Sequence, residues 1–92
     1  GTELKSLDLS YTQITGEGLS VLQDKLNKLE TLDLSYCNRL SCQGLTELLQ
    51  ICGTGLISLE LGFTPASIRT LEKEIQLSRP NLSILYSFEN IF

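Results

Sequence analysis

The string Leu-Asp-Leu-Ser-Tyr occurs twice, at Leu7–Tyr11 and Leu32–Tyr36, inside a longer frame that runs through all 92 residues. The frame is Leu-x-x-Leu-x-Leu-x-x-(Thr/Cys/Asn). It reads Leu4, Leu7, Leu9, Thr12; Leu29, Leu32, Leu34, Cys37; Leu56, Leu59, Leu61, Thr64; and Leu82, Leu85, Ser87, Asn90. Its first leucines stand 25, 27 and 26 residues apart. A unit this small cannot bury its own apolar face and must stack on the next, so the chain has to be a solenoid. Three full units (4–28, 29–55, 56–81) and a partial fourth (82–92) are expected.

Alternation within the frame places Leu7 and Leu9 inward and Ser6, Asp8 and Ser10 outward, as in a short half-exposed strand. Strands are predicted at 5–10, 30–35, 57–62 and 83–87, parallel and lining the inner wall of a curved sheet. The Thr12, Cys37, Thr64, Asn90 column turns the chain out of the sheet, where small polar side chains bond backbone groups left unpaired. The second half of each unit reads as helix. Thr15 and Ser41 are matched N-caps, each followed by apolar residues at helical spacing: Leu19, Leu22, Leu26 and Leu45, Leu48 or Leu49, Cys52. The third helix opens at Thr64-Pro65, where Pro suits the first turn, and stops before Pro80. The fold class is therefore an α/β leucine-rich-repeat solenoid, a short right-handed βα horseshoe with strands inside and helices outside.

Composition excludes several functions. Seven basic residues against 11 acidic ones give a net charge of −4. Phosphate-backbone binding needs a basic patch, so nucleic acid is not expected as a partner, nor is an anionic membrane surface. No apolar stretch approaches the roughly 20 residues of a spanning helix. With no His in the chain, neither a Ser–His nor a Cys–His pair can form, and no enzymatic activity is expected. No cofactor is expected either. Gly16-Glu17-Gly18 lacks the spacing of a phosphate cradle and is better explained by close packing against a neighbouring unit. Cys37, Cys42 and Cys52 cannot all pair within one chain and read as reduced thiols of a cytoplasmic or nuclear protein. The chain has no Met, and Gly1-Thr2-Glu3-Leu4 matches Gly53-Thr54-Gly55-Leu56. The first predicts a fragment, a processed chain or a trimmed one, and the second a piece of a longer array.

Leu29–Gly44, followed by Leu45–Gly53, resembles the cysteine-containing subclass of leucine-rich repeats found in F-box proteins and related to the ribonuclease-inhibitor-like superfamily. The resemblance covers essentially the whole chain and is strongest in the first two units. Thr64-Pro65-Ala66 and Ser87 depart from the pattern. The resemblance implies a protein-binding horseshoe, with the substrate-recognition part of an F-box-type ubiquitin ligase as its sharpest form. The F-box itself is not in this sequence.

Candidate site residues fall in columns across the strands. Asp8, Asp33, Glu60 and Tyr86 make one. Its carboxylates stack at strand spacing, about 4.8 Å, where like charges favour protonation of at least one. This column reads either as a recognition stripe for a basic or hydrogen-bond-donating partner or as a solvated polar face. A row of acids does not enclose an ion, so no metal is expected. Tyr11, Tyr36 and Phe63 make a second column near the rim, either interface anchors or a stack that stiffens the turn. In the last unit Ile84, Phe88, Ile91 and Phe92 would leave an apolar end. That end either folds back as a cap or joins a second copy in a homodimer. The expected function is a protein-interaction module. The alternative is a structural, capping or oligomerisation segment with no ligand of its own.

Overall fold

Four three-residue strands lie side by side in chain order, all parallel, in one sheet: β1 (Ser6–Asp8), β2 (Thr31–Asp33), β3 (Ser58–Glu60) and β4 (Ser83–Leu85). The computed structural model describes residues 3–87. The strands are shorter than expected because a left-handed turn residue follows soon after each of the first three. Pairing nevertheless runs one residue past each strand, through the Leu9, Leu34 and Leu61 N–H groups donating to Asp33, Glu60 and Leu85 carbonyls at 2.8–2.9 Å.

The register aligns Leu7, Leu32, Leu59 and Ile84 on the inner face, and Asp8, Asp33, Glu60 and Leu85 on the other. Leu32, Leu34, Leu59 and Leu61 form the core with Leu29 and Leu45. Their counterparts in the first unit, Leu7, Leu9, Ile14 and Leu19, are only partly buried, because no further unit among the described residues covers that end.

The fourth unit departs from the expected frame. Two residues separate Leu56 from Leu59, but only one separates Leu82 from Ile84, and Leu82 is still 4% exposed. The strand enters one residue early, and a one-residue slip moves every side chain to the opposite face. Ile84 and Tyr86 therefore pack on the core, while Leu85 is 41% exposed. Burying Ile84 and Tyr86 removes more apolar surface from water than burying Leu85 and Ser87 would.

The helices form an outer layer of unequal elements. α1 (Gln23–Leu26) follows a 3₁₀ turn at Ser20–Leu22. α2 (Cys42–Cys52) is the longest, and α3 (Ala66–Arg69) and α4 (Glu72–Ser78) complete the third unit. Ser41 caps α2 as expected, its hydroxyl accepting from the Gly44 N–H at 2.8 Å. Thr15 does not cap an equivalent helix. Its hydroxyl accepts from the Glu17 N–H at 3.2 Å, and Gly16 and Gly18 take φ of +91° and +78°, outside helical space. Gly44 explains the local packing: a Cβ there would meet the Thr15 carbonyl oxygen at 1.7 Å. The first unit gives up its helical turn so that its backbone can lie directly on α2.

Arg79 ties the third unit to the second. Its guanidinium donates to the Leu49 carbonyl at 2.5 Å and to the Gly53 carbonyl, at the end of α2 where carbonyls lack intrahelical partners.

Candidate functional site

The residues of Leu-Asp-Leu-Ser-Tyr divide the work of ending a strand. Asp33 Oδ1 accepts the Ser35 N–H at 2.9 Å, and Asp8 Oδ1 accepts the Ser10 N–H at 2.9 Å. Both close the short side-chain turn that Asp forms with the backbone two residues on. Glu60, one methylene longer, accepts instead from the Ser87 hydroxyl, through Oε1 at 2.9 Å. Each carboxylate thus uses one oxygen locally. Its second oxygen has no partner among the described residues, and no Lys or Arg there pairs with the three. The Ser10 hydroxyl and then the Ser10 N–H hold the Asp8 carboxyl below the usual carboxylate range. The shift at Asp8 runs opposite to the protonation expected from crowding of like charges: its two local donors outweigh the penalty of partial desolvation.

The aromatic column follows at once. Tyr11, Tyr36 and Phe63 all take left-handed φ, +61°, +62° and +59°. Side chains other than Gly, Asn and Asp rarely adopt this region, at a cost of about 1–2 kcal/mol each. What offsets it is a continuous stack. Tyr11 and Tyr36 lie 4.3 Å apart at 9°, and Tyr36 and Phe63 lie 4.6 Å apart at 14°. These spacings fall close to the strand separation, so one ring per repeat closes the ladder. The Tyr11 N–H donates to Ser35 and the Tyr36 N–H to Gly62, both at carbonyl oxygens. Tyr36 is sandwiched, whereas Tyr11 at the end of the stack is 71% exposed.

The turn column lies just beyond. Thr12 and Thr64 hydroxyls donate to Leu9 and Leu61 carbonyls at 2.7 Å, and the buried Cys37 thiol donates to the Leu9 carbonyl at 3.1 Å. All three cysteines are free.

Among the expected site residues, Asp8, Asp33 and Glu60 share one column and Tyr11, Tyr36 and Phe63 the adjacent one. Tyr86 does not join the carboxylates. It stands in the Leu61 column, against the core, with the Arg69 guanidinium 4.3 Å from its ring centroid. Burial, and then the nearby Glu72 carboxylate, push its phenol up to about 12. Leu85 takes the fourth place in the carboxylate column, and the contracted Leu82-Ser83-Ile84 spacing is the sequence signal for it. Ile84, expected on an exposed apolar end, packs inward. Phe88, Ile91 and Phe92 lie outside the described residues. Ser35, which follows the outward alternation of Asp33, is 4% exposed, and its hydroxyl has no partner among the described residues.

Among the described residues no group of three or more acidic or thiol side chains is placed to hold a metal ion, and no helix is long and apolar enough to cross a membrane. Parallel strands within and helices without define a solenoid scaffold that presents a repeated face. The sequence model for paired leucine-rich repeats matches residues 2–49, and that for a single leucine-rich repeat matches 28–71. The chain belongs to the leucine-rich-repeat family. Its members generally mediate protein–protein interaction. No curated protein and no solved structure matches the chain.

Proposed function

We propose that this chain binds a partner protein on its concave strand face, across the Asp8, Asp33, Glu60 and Tyr11, Tyr36, Phe63 columns. The observation that carries this reading is the free second oxygen on each carboxylate, beside an aromatic stack whose end is open to solvent. Exposed aromatics beside polar groups are favoured interface anchors. The likeness of Leu29–Gly44 to cysteine-containing repeats supports substrate recognition within an F-box-type ubiquitin ligase as the finer assignment. Free thiols, two of them buried, support a reducing compartment, cytoplasmic or nuclear. A photo-crosslinking residue tests the face. Placed at Thr31 on β2 it should trap the partner, and placed at Gln43 on the outer side it should not. Trapping from Gln43 alone would refute the concave reading.

A further inference from the structure

We infer that the partner segment this face accepts is arginine-bearing, with guanidinium groups against the free carboxylate oxygens of Asp8, Asp33 and Glu60 and over the open face of Tyr11. The inference rests on the concave reading above and specifies its chemistry.

Two independent features converge on that ligand. The first is charge. Three carboxylates stand in register on adjacent strands, and no cation of the described chain neutralises them. A cationic partner relieves that repulsion, and an anionic one adds to it. The second is the aromatic stack. One face of Tyr11 is covered by Tyr36 at 4.3 Å, while the residue stays 71% exposed, so its other face is open. A phenol ring attracts a cation over its face, and a planar guanidinium stacks there better than a compact ammonium does. The described residues already contain such a contact, between Arg69 and Tyr86.

Arginine fits these features together. Its fork of N–H donors meets two acceptor oxygens at once while its plane lies over a ring, which lysine does not reproduce. The outward Ser6, Thr31 and Ser58 column is hydroxylic, which suits a polar segment.

Neutral substitutions separate this role from the local one. Asp33→Asn and Glu60→Gln each keep an oxygen that accepts from Ser35 N–H or Ser87 Oγ and remove only the charge. The probe is a capped pentapeptide, Gly-Arg-Gly-Arg-Gly, titrated calorimetrically into the 92-residue chain, beside its two-lysine counterpart. The arginine peptide should bind about fivefold tighter than the lysine peptide, and Tyr11→Ala should erase that difference. The Asp33→Asn, Glu60→Gln pair should weaken arginine binding roughly tenfold with an unchanged circular dichroism spectrum. Equal binding of the two peptides overturns the inference, as does undiminished binding to the doubly neutral variant. No saturable binding up to millimolar peptide also overturns it. If the partner is still trapped from Thr31 in those cases, the concave face stands and only its ligand chemistry is wrong. Loss of trapping there sinks both.

Discussion

Tyr36 joins three requirements in one residue: a left-handed backbone, two stacked neighbours and a place at the rim of the sheet. Glycine would meet the first without strain but neither of the others, so replacement separates them. Tyr36→Ala keeps the strained φ and loses both stacks, each worth about 0.5–1.5 kcal/mol, for a loss of roughly 1–3 kcal/mol. Tyr36→Gly loses the same stacks but relieves about 1–2 kcal/mol of backbone strain. The glycine variant should therefore melt above the alanine variant in thermal denaturation. The reverse order would mean that the turn conformation costs nothing at this position. Asp33 combines roles in a similar way: its Oδ1 ends the strand while the other oxygen is left over.

Among the elements, α2 is the longest helix and the one most firmly tied at both ends. Ser41 accepts from Gly44 N–H at the start, and Arg79 from the next unit donates to the carbonyls at the finish. Ser41→Ala should cost about 1 kcal/mol, the usual loss for an N-cap. Gly44→Ala should cost more, despite Ala being the better helix former, because the added carbon meets the Thr15 carbonyl at 1.7 Å. Overpacking against backbone costs about 1–3 kcal/mol and occasionally more. Urea titration that ranks Ser41→Ala as the worse of the two would show that the first and second units are not held in this contact.

For the whole molecule, stability is graded along the solenoid. Leu34 is fully buried between neighbouring units, whereas Leu9, at the same place in its unit, is only partly covered. Leu34→Ala should cost roughly 2–5 kcal/mol, a large part of the stability of so small a domain. Leu9→Ala should cost clearly less, and equal losses by calorimetry would contradict the gradient. The far end carries a pH dependence. Tyr86 ionises at 10.0 when unperturbed and at about 12 in the fold. As pH rises through that window the unfolded chain gains a charge that the folded chain resists, so stability present below pH 10 is lost toward 12. Tyr86→Phe should remove that part of the alkaline loss. Asp8 acts at the acid end with the opposite sign, since its lowered carboxyl favours the fold above its unfolded value and loses that benefit as pH falls.

The spacing of leucines by itself determined the solenoid, the inward and outward faces of the first three strands, and the two columns that make the candidate site. It could do so because identical units in register must bring equivalent residues together. The Ser41 cap was legible for a similar reason, being local. What the tertiary structure decided depended on neighbours. Leu82-Ser83-Ile84 and Leu82-Ser83-Ile84-Leu85 both contain an apolar frame, and only packing on Leu59 and Leu61 chose the former, which sent Tyr86 inward and Leu85 out. Thr15 and Ser41 look equivalent in sequence, yet Gly44 pressed against the Thr15 carbonyl lets only the second begin a helix. Periodicity reports which residues recur; which of them point into the core where the repeat is imperfect is settled by the surface each choice buries.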